Sequence, residues 1–354
     1  MQRLLSAPGK LFLSGEYAVL WGGTARLAAV GPRASAFVRR RDDREVHLVL
    51  EAERLRGLAT PLGVRWEREV PEEFRFVATA VDEVLRARRR DGLGFGVAFA
   101  PSPRAGNGQK LGTGSSARAA VLATEAARFV LEERSDTLKL ALLAHTQAQG
   151  GKGSGGDVAT CFAGGVVRYR RFDTTELASV SQPLAVSLRQ SPPVDLARLS
   201  VAPTFLVYAF TGQSASTPAL IQKAEQRMDG PARERFVQTS NTLGQQLEEA
   251  LVRGAFESLR EATRELQALL AGLGAVETTA MERLLALAAS YGCAGKVSGA
   301  GGGDGVVLFC PDEATRTALL EGYAAREVFA LSLAIEPGLR GEVEGGSRLE
   351  RWLD

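Results

Sequence analysis

The chain has 354 residues, 45% apolar and 24% charged, with a formal net charge of +2 at pH 7. That length exceeds a single hydrophobic core, so two domains are expected; the arginine runs at 39–41 and 86–90 are answered by Asp42, Asp43 and Asp91, which argues against a nucleic-acid surface. The three cysteines, Cys161, Cys293 and Cys310, make neither a disulfide framework nor a CxxC zinc motif and read as buried thiols, while the absence of a secretory h-region or a transmembrane-length apolar run leads to the expectation of a cytoplasmic protein that engages no membrane.

In chain order, Leu11-Phe12-Leu13 predicts a short buried strand entering Ser14-Gly15-Glu16, and residues 34–39 and 46–50 predict further strands. Phe76, Val77, Ala80, Val81, Val84 and Leu85 fall at helical spacing and predict a helix over 74–90. A strand over 94–100 leads into a polar, glycine-rich loop over 101–115. Helices over 116–133 and 138–149 follow, then a glycine loop over 150–156, a short helix from Asp157 and a strand over 165–170. The Ser-, Thr-, Pro- and Gln-rich stretch 172–200 weakens the pattern and reads as the crossover between domains at 1–195 and 196–354. Beyond it come a strand over 206–210, three or four helices between 217 and 291, a strand over 306–309, a helix over 312–326 and a strand over 328–335. Strands alternating with helices in both halves indicate an α+β or α/β architecture.

Three glycine-rich segments carry the chemistry. Lys110-Leu111-Gly112-Thr113-Gly114-Ser115-Ser116-Ala117 opens a helix, where unpaired N–H groups and a partial positive charge suit a phosphate. A serine cap alone does not require two glycines so close together. The segment lacks the Gly-Lys-Ser/Thr of a Walker A loop. It meets the dinucleotide fingerprint only loosely, because no strand runs directly into Gly112. Gly153-Ser154-Gly155-Gly156-Asp157 places a carboxylate at the start of a helix, where it reads either as an N-cap or as a base for an attacking oxygen. Ser298-Gly299-Ala300-Gly301-Gly302-Gly303-Asp304 holds more glycine than a turn needs, which suggests a backbone lying against a ligand. Thr211 to Thr217, with Ser214 and Ser216, is a further strand-to-helix junction that reads equally as a cap or an anion site. His145, among apolar neighbours on a helix, reads as structural.

The order of Ala7-Pro8-Gly9-Lys10, Gly15-Glu16-Tyr17, Gly112-x-Gly114-Ser115-Ser116-Ala117 and Gly299-Ala300-Gly301-Gly302-Gly303 resembles the GHMP kinase superfamily. Gly153-Ser154-Gly155-x-Asp157-Val158-Ala159, Lys110, the 211–217 segment and Asp304 are similar to its phosphomevalonate kinase branch. The resemblance implies an α+β fold: an N-terminal domain like the second domain of ribosomal protein S5 and a C-terminal ferredoxin-like domain, with the ligands between them. It implies ATP and Mg²⁺ as cofactors, 5-phosphomevalonate as the small-molecule acceptor, and a monomer or homodimer. Asp157 and Lys10 would be catalytic. Lys110, Gly112, Thr113, Gly114, Ser115, Ser116 and Ala117 would hold the nucleotide, with Ser115 or Ser116 on the metal. Lys152, Ser154, Gly155, Ser214, Ser216, Thr217, Lys296, Gly299, Ala300, Gly301, Gly302 and Asp304 would serve the acceptor, and Lys10 would pair with Asp157. Three residues depart from the family pattern. Thr113 stands where leucine is usual, Arg118 where a small residue is usual, and Gly156 where a larger one is common. Arg118 is expected either to reach an anionic substrate or to project into solvent. Two alternatives stay open: a kinase of the same superfamily acting on an alcohol, such as mevalonate kinase, and a non-catalytic nucleotide- or metabolite-binding protein.

Overall fold

A computed structural model describes the chain apart from residues 90–92, 105–107, 109–110, 179–181, 214–216, 275, 343–346 and 354. Its strands are β1 (Gln2–Ser14), β2 (Thr24–Arg40), β3 (Glu45–Leu50), β4 (Glu53–Thr60), β5 (Gly63–Trp66), β6 (Phe95–Phe99), β7 (Val166–Arg170), β8 (Leu196–Leu199), β9 (Phe205–Phe210), β10 (Ala294–Val297), β11 (Gly305–Cys310), β12 (Ala330–Leu333) and β13 (Arg340–Glu342). Its helices are α1 (Arg75–Arg88), α2 (Ser115–Val130), α3 (Thr137–Ala148), α4 (Gly156–Ala163), α5 (Thr175–Ala178), α6 (Leu184–Gln190), α7 (Thr217–Arg227), α8 (Gly230–Arg253), α9 (Phe256–Ala271), α10 (Thr279–Ser290), α11 (Glu313–Ala324) and α12 (Ser347–Glu350).

Among the described residues the strands form two sheets. The first is organised on β2, which is long enough to be paired along both edges. β1 runs antiparallel along one edge, while β7 takes residues 24–28 and β6 takes residues 36–40 of the other. β3 lies parallel to β6, and the β4–β5 hairpin extends that end. Helices α1 to α4 cover one face of this sheet. α2 is rich in alanine, so Ala117, Ala120, Ala123, Ala126 and Ala127 pack at full burial without holding the neighbouring helices apart. Leu122, 1% exposed within this layer, is the kind of core side chain whose truncation to alanine costs about 2–5 kcal/mol.

The second sheet has the order β10-β11-β9-β12, all antiparallel, with helices inserted between β9 and β10 and between β11 and β12. This is the ferredoxin-like arrangement expected for the C-terminal half. Two segments beyond residue 195 belong to the first sheet. β8 pairs with β7, and β13 pairs with β1 while Leu353 packs on Phe37, Val49 and Ala98.

The strands departed from expectation where composition hides them. β1 is not a short strand at residues 11–13 but spans Gln2–Ser14. It runs straight through Ala7-Pro8-Gly9-Lys10, with a register shift between Ala7 and Gly9 that accommodates the proline. The start of β2 is alanine-rich, β4 and β5 carry Arg54, Arg56 and Arg65 on their open face, and β10 has only four residues. All three cysteines are free and buried, with Cys293 Sγ 3.3 Å from Cys310 Sγ across the end of β10 and β11. Among the described residues no helix is long and apolar enough to cross a membrane.

Candidate active site

The elements converge on one cavity of about 330 Å³, within the size range of small-molecule sites. Its wall is built from β1 (Lys10, Phe12), the turn after it (Glu16, Tyr17, Val19, Leu20) and the start of α2 (Gly112, Gly114, Ser115, Ser116). The segment from the end of α3 to the first turn of α4 (Gln149, Gly153, Ser154, Asp157), the loop between β10 and β11 (Ser298, Gly299, Ala300, Asp304) and Ile221 of α7 complete it.

The start of α2 is open. Gly114 caps it at φ 83° and no side chain bonds the cap. The first backbone hydrogen bond into the helix is Arg118 N–H to Gly114 O, at 3.1 Å, which leaves the amides of the first turn to a ligand. Gly114 is favoured because its backbone is left-handed, and a Cβ there would also crowd Lys10 Cγ at 3.1 Å. Lys10 N–H donates to Thr113 O at 3.0 Å, and Lys10 Nζ donates to Gly112 O at 3.2 Å, so the lysine braces the turn it faces.

Asp157 stands in the first turn of α4, its side chain 20% exposed to the cavity side. Its Oδ1 accepts from Val158 N–H at 2.9 Å. Behind it, Tyr169 OH donates to Ser154 O at 2.8 Å and holds the loop. Lys10 and Asp157 line the same cavity but make no direct ion pair, contrary to expectation; the ammonium bonds Gly112 O. The imidazole of His145 stands between Asp157 and the start of α2. His145 Nε2 lies 3.2 Å from Ser116 Oγ and 3.8 Å from Asp157 Oδ2, with the imidazole stacked on Phe76 at 5.1 Å. Burial pulls its pKa below the ordinary histidine range and outweighs the opposing pull of Asp157, which favours the neutral ring. His145 is buried, as a structural histidine would be, yet it hydrogen-bonds the cleft residue Ser116.

Several candidates serve the wall from behind. Thr113 and Ala117 are buried under the turn rather than in the lining, and Thr113 Oγ1 has no partner. Gly155 is demanded by packing, since a Cβ would lie 2.6 Å from Leu142 Cδ2 and 2.9 Å from the Tyr169 hydroxyl. The glycines of the third motif divide. Gly299 and Ala300 face the cavity, whereas a Cβ on Gly301 would meet Val276 O at 2.2 Å and one on Gly302 would meet Leu220 at 2.8 Å. Asp304 lines the cavity and its carboxylate abuts Gly112, while its backbone ties to Thr211 and Gln213. Lys152 is exposed and outside the lining. Lys296 does not reach the cavity at all: fully buried, it pairs with Glu16. Lys110, Ser214 and Ser216 lie outside the described residues; Thr217 begins α7.

Three contributions to the wall were given no role by the sequence. Tyr17, at φ 61°, donates its hydroxyl to Ala300 O at 2.6 Å and so ties the turn after β1 to the third motif. Ser298 Oγ accepts from Phe12 N–H at 3.0 Å and bonds Phe12 O at 3.1 Å, pinning the same two segments. Gln149 joins the wall from the end of α3. The Gly15-Glu16-Tyr17 motif marked the first of these without giving its role.

Mg²⁺ takes oxygen ligands, keeps several waters and uses one or two carboxylates beside substrate phosphates. The Ser115 and Ser116 hydroxyls with the Asp157 carboxylate fit that donor set. Among the described residues no cluster of three or more His, Cys, Asp or Glu provides an all-protein cage.

Residues 247–327 match the family described as GHMP kinases C terminal. The chain is 32% identical to a phosphomevalonate kinase of Streptomyces sp. (strain CL190), over 95% of this chain and 97% of that one. Its fold is similar to that of a Listeria innocua protein, with a TM-score of 0.87 at 24% identity over 97% of this chain and 100% of the other. It is also similar to Streptococcus pneumoniae phosphomevalonate kinase in complex with phosphomevalonate and AMPPNP, with a TM-score of 0.79 at 21% identity over 93% and 99%.

Proposed function

The chain belongs to the GHMP kinase family, in its phosphomevalonate kinase branch, and on that premise we propose that it transfers the γ-phosphoryl group of ATP to 5-phosphomevalonate, giving ADP and 5-diphosphomevalonate. The observation that carries this reading is the meeting of Lys10, the open start of α2 and Asp157 on one cavity wall. An oxygen of the acceptor phosphate bonds to the γ-phosphorus, the bond to the β,γ-bridging oxygen breaks, and ADP leaves. Both reactants are anions, so positioning and charge neutralisation supply most of the catalysis.

The first-turn amides of α2 and the Ser115 and Ser116 hydroxyls bind the nucleotide phosphates, and Lys10 Nζ carries positive charge to the same wall. Asp157 orients the acceptor. A phosphomonoester is largely ionised at neutral pH, so the carboxylate steers the attacking oxygen more than it removes a proton from it. Ser115 or Ser116 together with Asp157 would hold Mg²⁺, which when bound neutralises charge on the transferring phosphoryl group.

The test is ADP release with 5-phosphomevalonate beside mevalonate, homoserine and galactose. Turnover confined to 5-phosphomevalonate is expected. Turnover with mevalonate alone would make the protein an alcohol kinase, and nucleotide binding without ADP release from any acceptor would make it a non-catalytic binding protein.

A further inference from the structure

Arg118 lies one turn into α2, yet its side chain reaches neither the cavity nor solvent. It is 2% exposed, and Nη1 donates to Pro32 O at 2.9 Å. A Cβ built on Gly9 would lie 3.0 Å from Arg118 Nη1 and 2.9 Å from Thr113 O. The guanidinium therefore sits directly behind the backbone of Gly9, Lys10 and Thr113, and the far side of that layer is the cavity wall. Among the described residues no carboxylate pairs with it. The neighbouring ionisable group is Cys161, whose thiol is neutral because burial pushes its pKa up to about 12.

Arginine keeps its proton in proteins, even where burial draws its pKa downward as it does here. A buried cation without a counter-ion is costly, and a single carbonyl offsets only part of that cost. We propose that Arg118 supplies a permanent positive charge to the back of the phosphate site, with the nucleotide's polyphosphate as its counter-ion. It touches no substrate and acts as a positioning residue. Its field crosses buried backbone, where charges are screened far less than in solvent. The inference rests on reading the start of α2 as the nucleotide phosphate site.

The test is calorimetric titration of wild type, Arg118→Met and Arg118→Lys with adenosine, ADP and AMPPNP at fixed excess Mg²⁺. Methionine fills the space of the aliphatic stem without the charge. Arg118→Met is expected to lose about tenfold in affinity for AMPPNP, less for ADP and none for adenosine. Arg118→Lys is expected to keep the wild-type grading. A loss equal across the three ligands, or no loss, overturns the inference, because a packing role has no reason to follow ligand charge. Should Arg118→Met not fold, the lysine variant decides: a lower AMPPNP-to-adenosine affinity ratio than wild type overturns the inference. Failure of both variants to fold makes Arg118 a folding residue and also overturns it. Wild type that binds no AMPPNP instead removes the nucleotide-site reading itself.

Discussion

Lys296 on β10 and Glu16 in the turn after β1 form a fully buried ion pair that ties the second sheet to the first. The ammonium also donates to Val297 O at 2.6 Å, while Glu16 Oε2 has no partner. Burial lowers the Lys296 pKa against the pull of Glu16. Lys296→Met strands a buried carboxylate and is expected to cost about 3–5 kcal/mol in denaturant unfolding. The double variant Lys296→Met with Glu16→Gln should recover a large part of that loss. If the single variant unfolds like wild type and only the acceptor KM rises, Lys296 serves the substrate and the pair is not a structural tie.

Asp157→Asn keeps the side-chain oxygen that accepts from Val158 N–H, so the start of α4 is retained. The expected result is a fall in kcat of about 10² or more, with the melting temperature unchanged. Near-normal turnover would remove the carboxylate from the mechanism.

His145 and Ser116 are expected to act as one unit, since the imidazole fixes the hydroxyl at 3.2 Å. His145→Phe preserves the stack on Phe76 and removes both ring nitrogens. In a double-mutant cycle with Ser116→Ala, read on kcat/KM for ATP, a coupling of about 0.5–3 kcal/mol is expected. Strict additivity would mean that the contact carries no function.

A pH effect on stability is expected far from the cavity. Asp82, on α1, accepts from Val64 N–H at 2.7 Å and faces Trp66 Nε1 at 3.5 Å. Burial outweighs these bonds and raises its pKa from 3.8 to about 6. A pKa raised in the fold favours the protonated form. The stability Asp82 contributes is therefore complete below the unfolded pKa and is lost as pH rises through about 6. Melting temperatures between pH 5 and 7 should fall more steeply for wild type than for Asp82→Asn. Parallel curves would count against the assignment.

The helices were legible because their apolar spacing recurs over several turns: α1, α2, α3 and α11 lie within a few residues of where periodicity places them. β10 and the β4–β5 hairpin were not, because β5 and β10 have four residues each and Gly57 interrupts the inward row of Leu55 and Ala59 on β4, which leaves little alternation to read. In the site, Asp157, Ser115 and Ser116 were legible from their place beside glycines at helix starts. Lys296 was misread for a physical reason: proximity to a motif in sequence does not say which side of a strand a lysine leaves. On β10 it ends in a buried pair with Glu16, behind the cavity lining.

By itself, the sequence determined the α+β class, the kinase family and the segments that form the cleft, because motif order and helix starts are local properties. Only the tertiary structure decided what each residue within those segments does. Of the four glycines at 299 and 301–303, Gly299 faces the cavity while Gly301 and Gly302 make room for Val276 and Leu220. Of the cations beside the motifs, Lys10 reaches the cavity, Lys296 closes a buried pair and Arg118 stands behind the wall. These roles depend on which surface faces a side chain across residues distant in sequence, and no spacing along the chain encodes that.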